Sequence, residues 1–358
     1  MLKENVLTLP SVRHLQDCSS SLSVDVGINE SSESYLKARF QSLKNPRDRI
    51  VSVMFDEVYC GKRIQYVNGK FYGAEHGTEA TKTMLCIMVN GLTSPYKDLV
   101  ALIPLIGINS VIIKNMVYSA LSLLCRIGFD VVTLIADGHS ANTKFFTEIC
   151  GGTLKSSIPH PFIPGSELFI TYDYVHVWKN LYANFVNKRV FECPKWQGQS
   201  VNGRFDDIKN MYDLEHGNPI KKAFKLSDKV LNPSSMEKMN VGLATSLFHD
   251  STGNSLIDYS HHLDKFSWEE TGRLVLLFRQ WFLTLNVKSA HSACRNNDTR
   301  QTVIKQDEDS TLQSFSGLEN NPSVQFLSRF KSWLLEWKNT KTANEISRES
   351  LNAAIHCT

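Results

Sequence analysis

The alternation of apolar and polar positions divides the chain into a strand-rich front and a helical rear. Arg49–Val58 (RIVSVMFDEV) is rich in apolar and β-branched residues and carries an acid near its end, which predicts a strand. Gln65–Gly73 places aromatic and β-branched residues on either side of Asn68-Gly69, a dipeptide suited to a tight hairpin turn. Thr83–Val89 (TMLCIMV) is apolar throughout, as expected of a strand buried on both faces. From Val111 to Ile127 the apolar residues recur at helical spacing, and Gly128 suits the end of that helix. Asp130–Ala136 (DVVTLIA) predicts another buried strand, running into Asp137. The predicted order is strand–strand–strand–helix–strand, with acids on the first and fourth strands. A helix over Ser32–Leu43 precedes this series.

Beyond Asp137, HSANTKFFTEICGG predicts a short helix ending at Gly151-Gly152. Phe169–Tyr172 reads as a brief strand and Asp173–Asn187 as a helix. From Val190 to about Ala290 the pattern is helical, strongest over Lys229–Phe248 and Ser267–Leu285, and predicts a separate helical unit. His291–Ser323 is polar with little periodicity and reads as a connection. Phe326, Phe330, Trp333, Leu334 and Trp337 then share one face of an amphipathic helix, and Ala343–Ile355 begins another.

Composition changes this picture little. A length of 358 residues allows two or three compact units, and 42% hydrophobic content suits real cores. The net charge of +3, from 39 basic and 36 acidic residues, neither announces nucleic acid nor excludes it. The eight cysteines form no Cys-x-x-Cys pair, which argues against a zinc site built on paired cysteines. Cys86 and Cys125 lie in apolar runs and read as small buried thiols. A reduced intracellular compartment fits this usage. The N-terminus lacks the apolar core of a signal peptide, and no apolar run is expected to reach the about 18–20 residues that span a bilayer. A soluble, non-secreted protein with no membrane partner is the expectation.

Three groups of residues carry candidate chemistry. Asp56 and Asp137, at the ends of two predicted strands, offer carboxylate oxygens of the kind Mg²⁺ and Mn²⁺ prefer. The plainer reading has Asp137 or Ser140 capping the following helix and Asp56 facing water. His176, Lys179 and Asn180 share one helix face and suit a phosphate backbone, while Asp173 caps the helix and Val175, Trp178 and Leu181 fill the core from the other side. Lys238–Ser246 (KMNVGLATS) reads as helix with Met239 and Leu243 inward, and nothing in its composition marks a nucleotide site. No P-loop motif occurs. Lys221, Lys222 and Lys225 read as a solvated face before a DNA contact.

Taken in order, FDEV around Asp56, ADGHSANTKFF at Asp137 and YDYVHVWKNLYANF over Asp173–Phe185 resemble the P element transposase family, which includes transposase-derived proteins bearing THAP zinc fingers. KLSDKVLNPSSMEKMNVGLATS resembles the helical insertion domain of that family, and LPSVRHLQD the tail of its helix-turn-helix region. The resemblance runs from about Val6 to the C-terminus. It implies an α/β fold: an RNase H-like mixed sheet with a mainly helical insertion domain. The implied organisation is a helix-turn-helix remnant over 1–45, an RNase H-like domain over 46–189, the insertion over 190–290, a polar linker over 291–323 and the start of a C-terminal helical part over 324–358.

The implied activity is metal-dependent DNA cleavage and strand transfer in the nucleus, with DNA as partner, a homo-oligomer as one option, and GTP held by the insertion. Carried over by position, Asp56 and Asp137 match the first two ligands of Mg²⁺ or Mn²⁺. Asp173, His176 and Lys179 match an Asp-x-x-His-x-x-Lys segment, and Lys238, Asn240 and Val241 match the nucleotide-contacting segment. Two departures stand against the full activity. The family's third acid follows the insertion, and NEISRESLNAAIHCT resembles the stretch shortly before it; Glu319, Glu336, Glu345 and Glu349 stand in the wrong context to replace it. Leu283 in WFLTLN occupies the apparent place of an Asp that would accept hydrogen bonds from guanine, which leaves GTP binding doubtful. The expected product is a transposase-derived protein with impaired catalysis. The alternative is a domesticated, non-enzymatic DNA- or protein-binding module.

Overall fold

The computed structural model describes residues 27–61, 64–67, 70–72, 74–75, 79–286, 322–340 and 348–358. LPSVRHL, the Asn68-Gly69 turn, most of the polar connection and the front of the last expected helix lie outside these residues. The chain forms two compact units, Met1–Thr171 and Tyr172–Thr358.

The first unit opens with helix α1 (Glu30–Ser42), started by a capping box in which Asn29 and Ser32 satisfy each other's backbone N–H groups. Its polar surface gives it little to bury. It is tied to the sheet instead by Asp98, a buried carboxylate that accepts from Tyr35 Oη at 2.7 Å and Arg39 Nε at 2.7 Å.

Strand β1 (Ile50–Tyr59) forms as expected, followed by the small hairpin β2 (Gln65–Val67) and β3 (Lys70–Tyr72) and the two-residue pair β4 (Ala74–Glu75) and β5 (Glu79–Ala80). β6 (Thr83–Gly91) pairs antiparallel with β1. Its burial alternates between buried and half-buried positions, so it is covered fully on one face, not on both as its sequence suggests. β7 (Lys97–Leu105) was not expected as a strand: KDLVALIPL has polar residues at its start and Pro104 near its end. It lies at the edge of the sheet, where proline is tolerated. Pro104 is two residues from Leu102, whose carbonyl accepts Gly27 N–H at 2.7 Å on the side away from β6.

Helix α2 (Ser110–Ile127) ends at Gly128, whose φ of 113° is the left-handed conformation a glycine supplies without strain. Contrary to the reading of the sequence, this helix is long and apolar enough, by length and composition, to cross a membrane. Ile113, Val117, Ala120, Leu121 and Leu124 are buried, and the helix packs on β8 and its two helical neighbours. β8 (Asp130–Ala136) runs parallel to β1, and helix α3 (Ser140–Ile149) follows. β9 (Ser157–Pro159) and β10 (Glu167–Tyr172) complete a six-stranded mixed sheet of order β7-β6-β1-β8-β10-β9. Cys86 and Cys125 are half-buried, not buried.

The second unit is mainly helical and has an aromatic core. α4 (Tyr174–Lys188) is capped by Asp173, whose carboxylate accepts Val175 N–H at 2.8 Å. After the β11 (Val190–Phe191) and β12 (Gly203–Arg204) pair comes α5 (Phe205–Leu214). The long helix expected over Lys229–Phe248 is instead α6 (Asp228–Leu231), a 3₁₀ turn at Glu237–Met239 and α7 (Val241–Leu247). Pro233 keeps Asn232 out of helical backbone, and Asn240 restarts the chain as an N-cap. Met239 is therefore exposed and Leu243 half-buried, while Ala244 and Leu247 point inward.

α8 (Asp250–Leu263) and α9 (Phe266–Leu285) cross at Gly253 and Gly272. α10 (Pro322–Thr340) buries the five residues that define its expected face, and α11 (Arg348–Cys357) closes the chain. Trp178 stacks on Phe282 at 4.4 Å, and Phe278, Phe330, Trp333 and Trp337 extend the same cluster.

Candidate functional site

The register of β1 and β8 decides whether Asp56 and Asp137 can act together. Met54 is level with Ile135 in the parallel pair, and each aspartate lies two residues further on. Asp56 lies within β1 and Asp137 directly after the end of the parallel neighbour β8, each two residues past the last paired level. Asp56 is exposed and Asp137 half-exposed.

Each carboxylate is held locally. Asp56 Oδ1 accepts the N–H of Glu57 at 2.8 Å. Asp137 Oδ1 accepts the N–H of His139 at 2.9 Å and the amide of Asn142 at 2.7 Å. Neither Asp137 nor Ser140 caps α3, because His139 takes that place, its Nδ1 accepting Ala141 N–H at 3.4 Å. The same Nδ1 is 3.7 Å from Glu57 Oε1. An Nδ1 that accepts the cap N–H carries no proton, whereas an Nδ1 that donates to the Glu57 carboxylate must carry one, so this nitrogen does not make both bonds at once.

Charges at the strand ends are felt nearby. Burial pushes the Glu57 carboxyl above its ordinary value; His139 works against this, and Asp137 and Asp56 reinforce it. Cys86 is level with Asp56 on β6, and burial, reinforced by the Asp56 charge, raises its thiol. It remains a thiol at neutral pH. The donor set is thus carboxylate oxygen, which suits Mg²⁺ or Mn²⁺. Among the described residues, no three His, Cys, Asp or Glu side chains form a metal-binding group.

In the second unit, His176 Nε2 is 3.8 Å from Asp173 Oδ2 and 3.4 Å from Lys179 Nζ, which brings these three side chains together at the start of α4. Asn180 is half-buried beside it, and its carbonyl accepts the Asn184 amide at 2.7 Å. The buried side of α4 is Val177, Trp178, Leu181, Tyr182 and Phe185; Val175 is only half-buried. Lys238 Nζ donates to Asn187 Oδ1 at 2.6 Å, Asn240 Oδ1 accepts Gly242 N–H at 2.7 Å, and Val241 opens α7. Lys238 and Asn240 therefore make structural bonds, and Leu283 is half-buried on α9. Glu336 and Glu349 are exposed on α10 and α11; Glu319 and Glu345 lie outside the described residues. Reading the sequence alone missed Glu57, His139 and Asn142, although the phrase ADGHSANTKFF contains two of them within five residues of Asp137.

Residues 24–150 match the family model described as TNP-like, RNase H N-terminal domain. A curated relative, the transposable element P transposase of Drosophila melanogaster, is 25% identical over 251 residues, which is 69% of this chain and 31% of that protein. The chain thus spans about a third of the length of the relative it matches. The solved Drosophila P element transposase strand transfer complex superposes with a TM-score of 0.72 at 19% identity, covering 98% of this chain and 71% of that one. The six-stranded sheet with its helical addition is accordingly an RNase H-like fold with a helical insertion. Residues 24–150 are thus similar to a TNP-like RNase H N-terminal domain, and the chain is similar to part of a P element transposase.

Proposed function

We propose that the chain is a P element-type transposase catalytic region in which Asp56 and Asp137 hold Mg²⁺ or Mn²⁺ against a DNA phosphodiester. The observation that carries this reading is the place of Asp56 on β1 and of Asp137 directly after the neighbouring parallel strand β8, each two residues past the paired Met54 and Ile135. Bound there, the divalent cation would activate the attacking oxygen and stabilise charge on the leaving one. His176, Lys179 and Asn180 bind and orient the DNA backbone, with the Lys179 ammonium supplying charge and the other two supplying directed hydrogen bonds. The fit to a DNA-bound transposase structure supports DNA as the partner.

With two carboxylates and no three-ligand group among the described residues, cation affinity and positioning both fall, and cleavage by this chain alone is weak or absent. A Mg²⁺- or Mn²⁺-dependent nicking assay against Asp56→Ala tests this: robust nicking abolished by the substitution would overturn the impairment while keeping the site.

Guanine recognition is not expected to survive with Leu283 in place. Lys238, Asn240 and Val241 keep at most a phosphate- or ribose-facing role. GTP and ATP should then shift the melting temperature equally or not at all, and a GTP-selective rise would count against this. A nuclear location and a homo-oligomer belong to the same reading; fractionation and light scattering read them directly.

A non-enzymatic DNA-binding module is the second reading, favoured by the absence of a three-ligand group among the described residues. DNA binding with no cation dependence and no nicking at any enzyme concentration would select it.

A further inference from the structure

Among the described residues, Asn142 is a buried amide with only its NH₂ end bonded. It is 2% exposed on the first turn of α3. Its Nδ2 donates to Asp137 Oδ1 at 2.7 Å, while its Oδ1 is buried without a hydrogen-bond partner. The amide cannot turn round to improve matters, because a carboxylate oxygen must face the NH₂ and not the carbonyl. A leucine of similar size would avoid the cost of an unmatched buried oxygen altogether. The amide therefore makes sense for what its other end does.

That end, with His139 N–H, places two donors on one oxygen of Asp137 and leaves the second oxygen for a ligand. We propose that Asn142 is a positioning residue for the cation site, fixing the Asp137 carboxylate by Oδ1 so that Oδ2 is left for a cation held together with Asp56. The inference rests on the reading of Asp56 and Asp137 as cation ligands. It assigns Asn142 to the outer layer of groups that orient ligands, where loss of a partner weakens metal binding by about 10- to 100-fold.

The test is a Mn²⁺ titration of the full chain, followed by paramagnetic broadening of amide signals flanking Asp56 and Asp137. Wild type, Asp137→Asn and Asn142→Leu are compared, with a thermal melt of each. The expected result is broadening that Asp137→Asn abolishes and that Asn142→Leu moves to at least about tenfold higher Mn²⁺, while the melting temperature of Asn142→Leu stays level or rises. A merely structural asparagine would give the reverse, a lower melting temperature with Mn²⁺ affinity unchanged, and that result overturns the proposal. If Asn142→Leu does not fold, Asn142→Ala, which also lacks the donor, is read by its Mn²⁺ midpoint alone. Wild-type broadening that Asp137→Asn leaves intact would overturn the cation site itself, and this inference with it.

Discussion

Asp207 is almost fully buried at the start of α5, where Ser267 Oγ donates to one oxygen at 3.2 Å and Thr271 Oγ1 to the other at 2.8 Å. Burial raises its carboxyl above the ordinary value, and the two hydroxyls only partly counter this. The sign follows from linkage. A group whose folded value is raised contributes stability that is present below its unfolded value and lost as pH rises through the folded one. Asp207→Asn keeps the shape and removes the charge. Its melting temperature should gain on wild type as pH climbs from the ordinary carboxylate range towards neutral. A difference between the two proteins that stays flat across that window would refute the assignment.

At the next scale, the crossing of α8 and α9 is set by two glycines that let the backbones meet. A Cβ at Gly272 would lie 2.7 Å from the Gly253 carbonyl oxygen and 2.8 Å from Ile257 Cγ1. Alanine is the better helix former by about 1 kcal/mol, yet Gly272→Ala should destabilise the chain by about 1–3 kcal/mol, because neighbouring backbone cannot yield as a side-chain tip can. Urea unfolding reads this, and a variant as stable as wild type would show that the helices slide apart freely.

Elements differed in how far their sequences announced them. The aromatic face of α10 was legible because five large side chains recur at one spacing, and all five are buried. β7 was hidden, since Pro104 reads as a strand breaker unless its place at the sheet edge is known. Asp56 falls on the first strand of the six-stranded sheet in chain order and Asp137 directly after the fourth: the hairpin β2–β3 stands outside that sheet and β7 takes its place in the count. The break in the expected Lys229–Phe248 helix follows from Asn232-Pro233, where the residue before a proline leaves helical backbone.

On the scale of the whole molecule, the sequence pointed to the two aspartates but not to what holds them. Strand-end acids are legible from pattern, whereas the amide behind Asp137 belongs to α3 and meets it only once the chain turns. On α4 the sequence already grouped Asp173 with His176 and Lys179, and the structure gives their side-chain distances. If these residues meet DNA, affinity should fall steeply with added salt as counterions are released. Lys179→Ala should then lower the slope of log affinity against log salt by about one. Filter binding across a salt series measures this, and an unchanged slope would remove Lys179 from the interface.

The placement of Pro104 has a consequence for life at high concentration. An open strand edge invites a stranger's strand to dock and begin a fibril. Here the outward row of β7 offers a ring with no N–H at Pro104, and its Leu102 carbonyl is already taken by Gly27. A foreign strand would thus find no partner at Leu102 or Pro104, which disfavours cross-strand polymers growing from that end of β7.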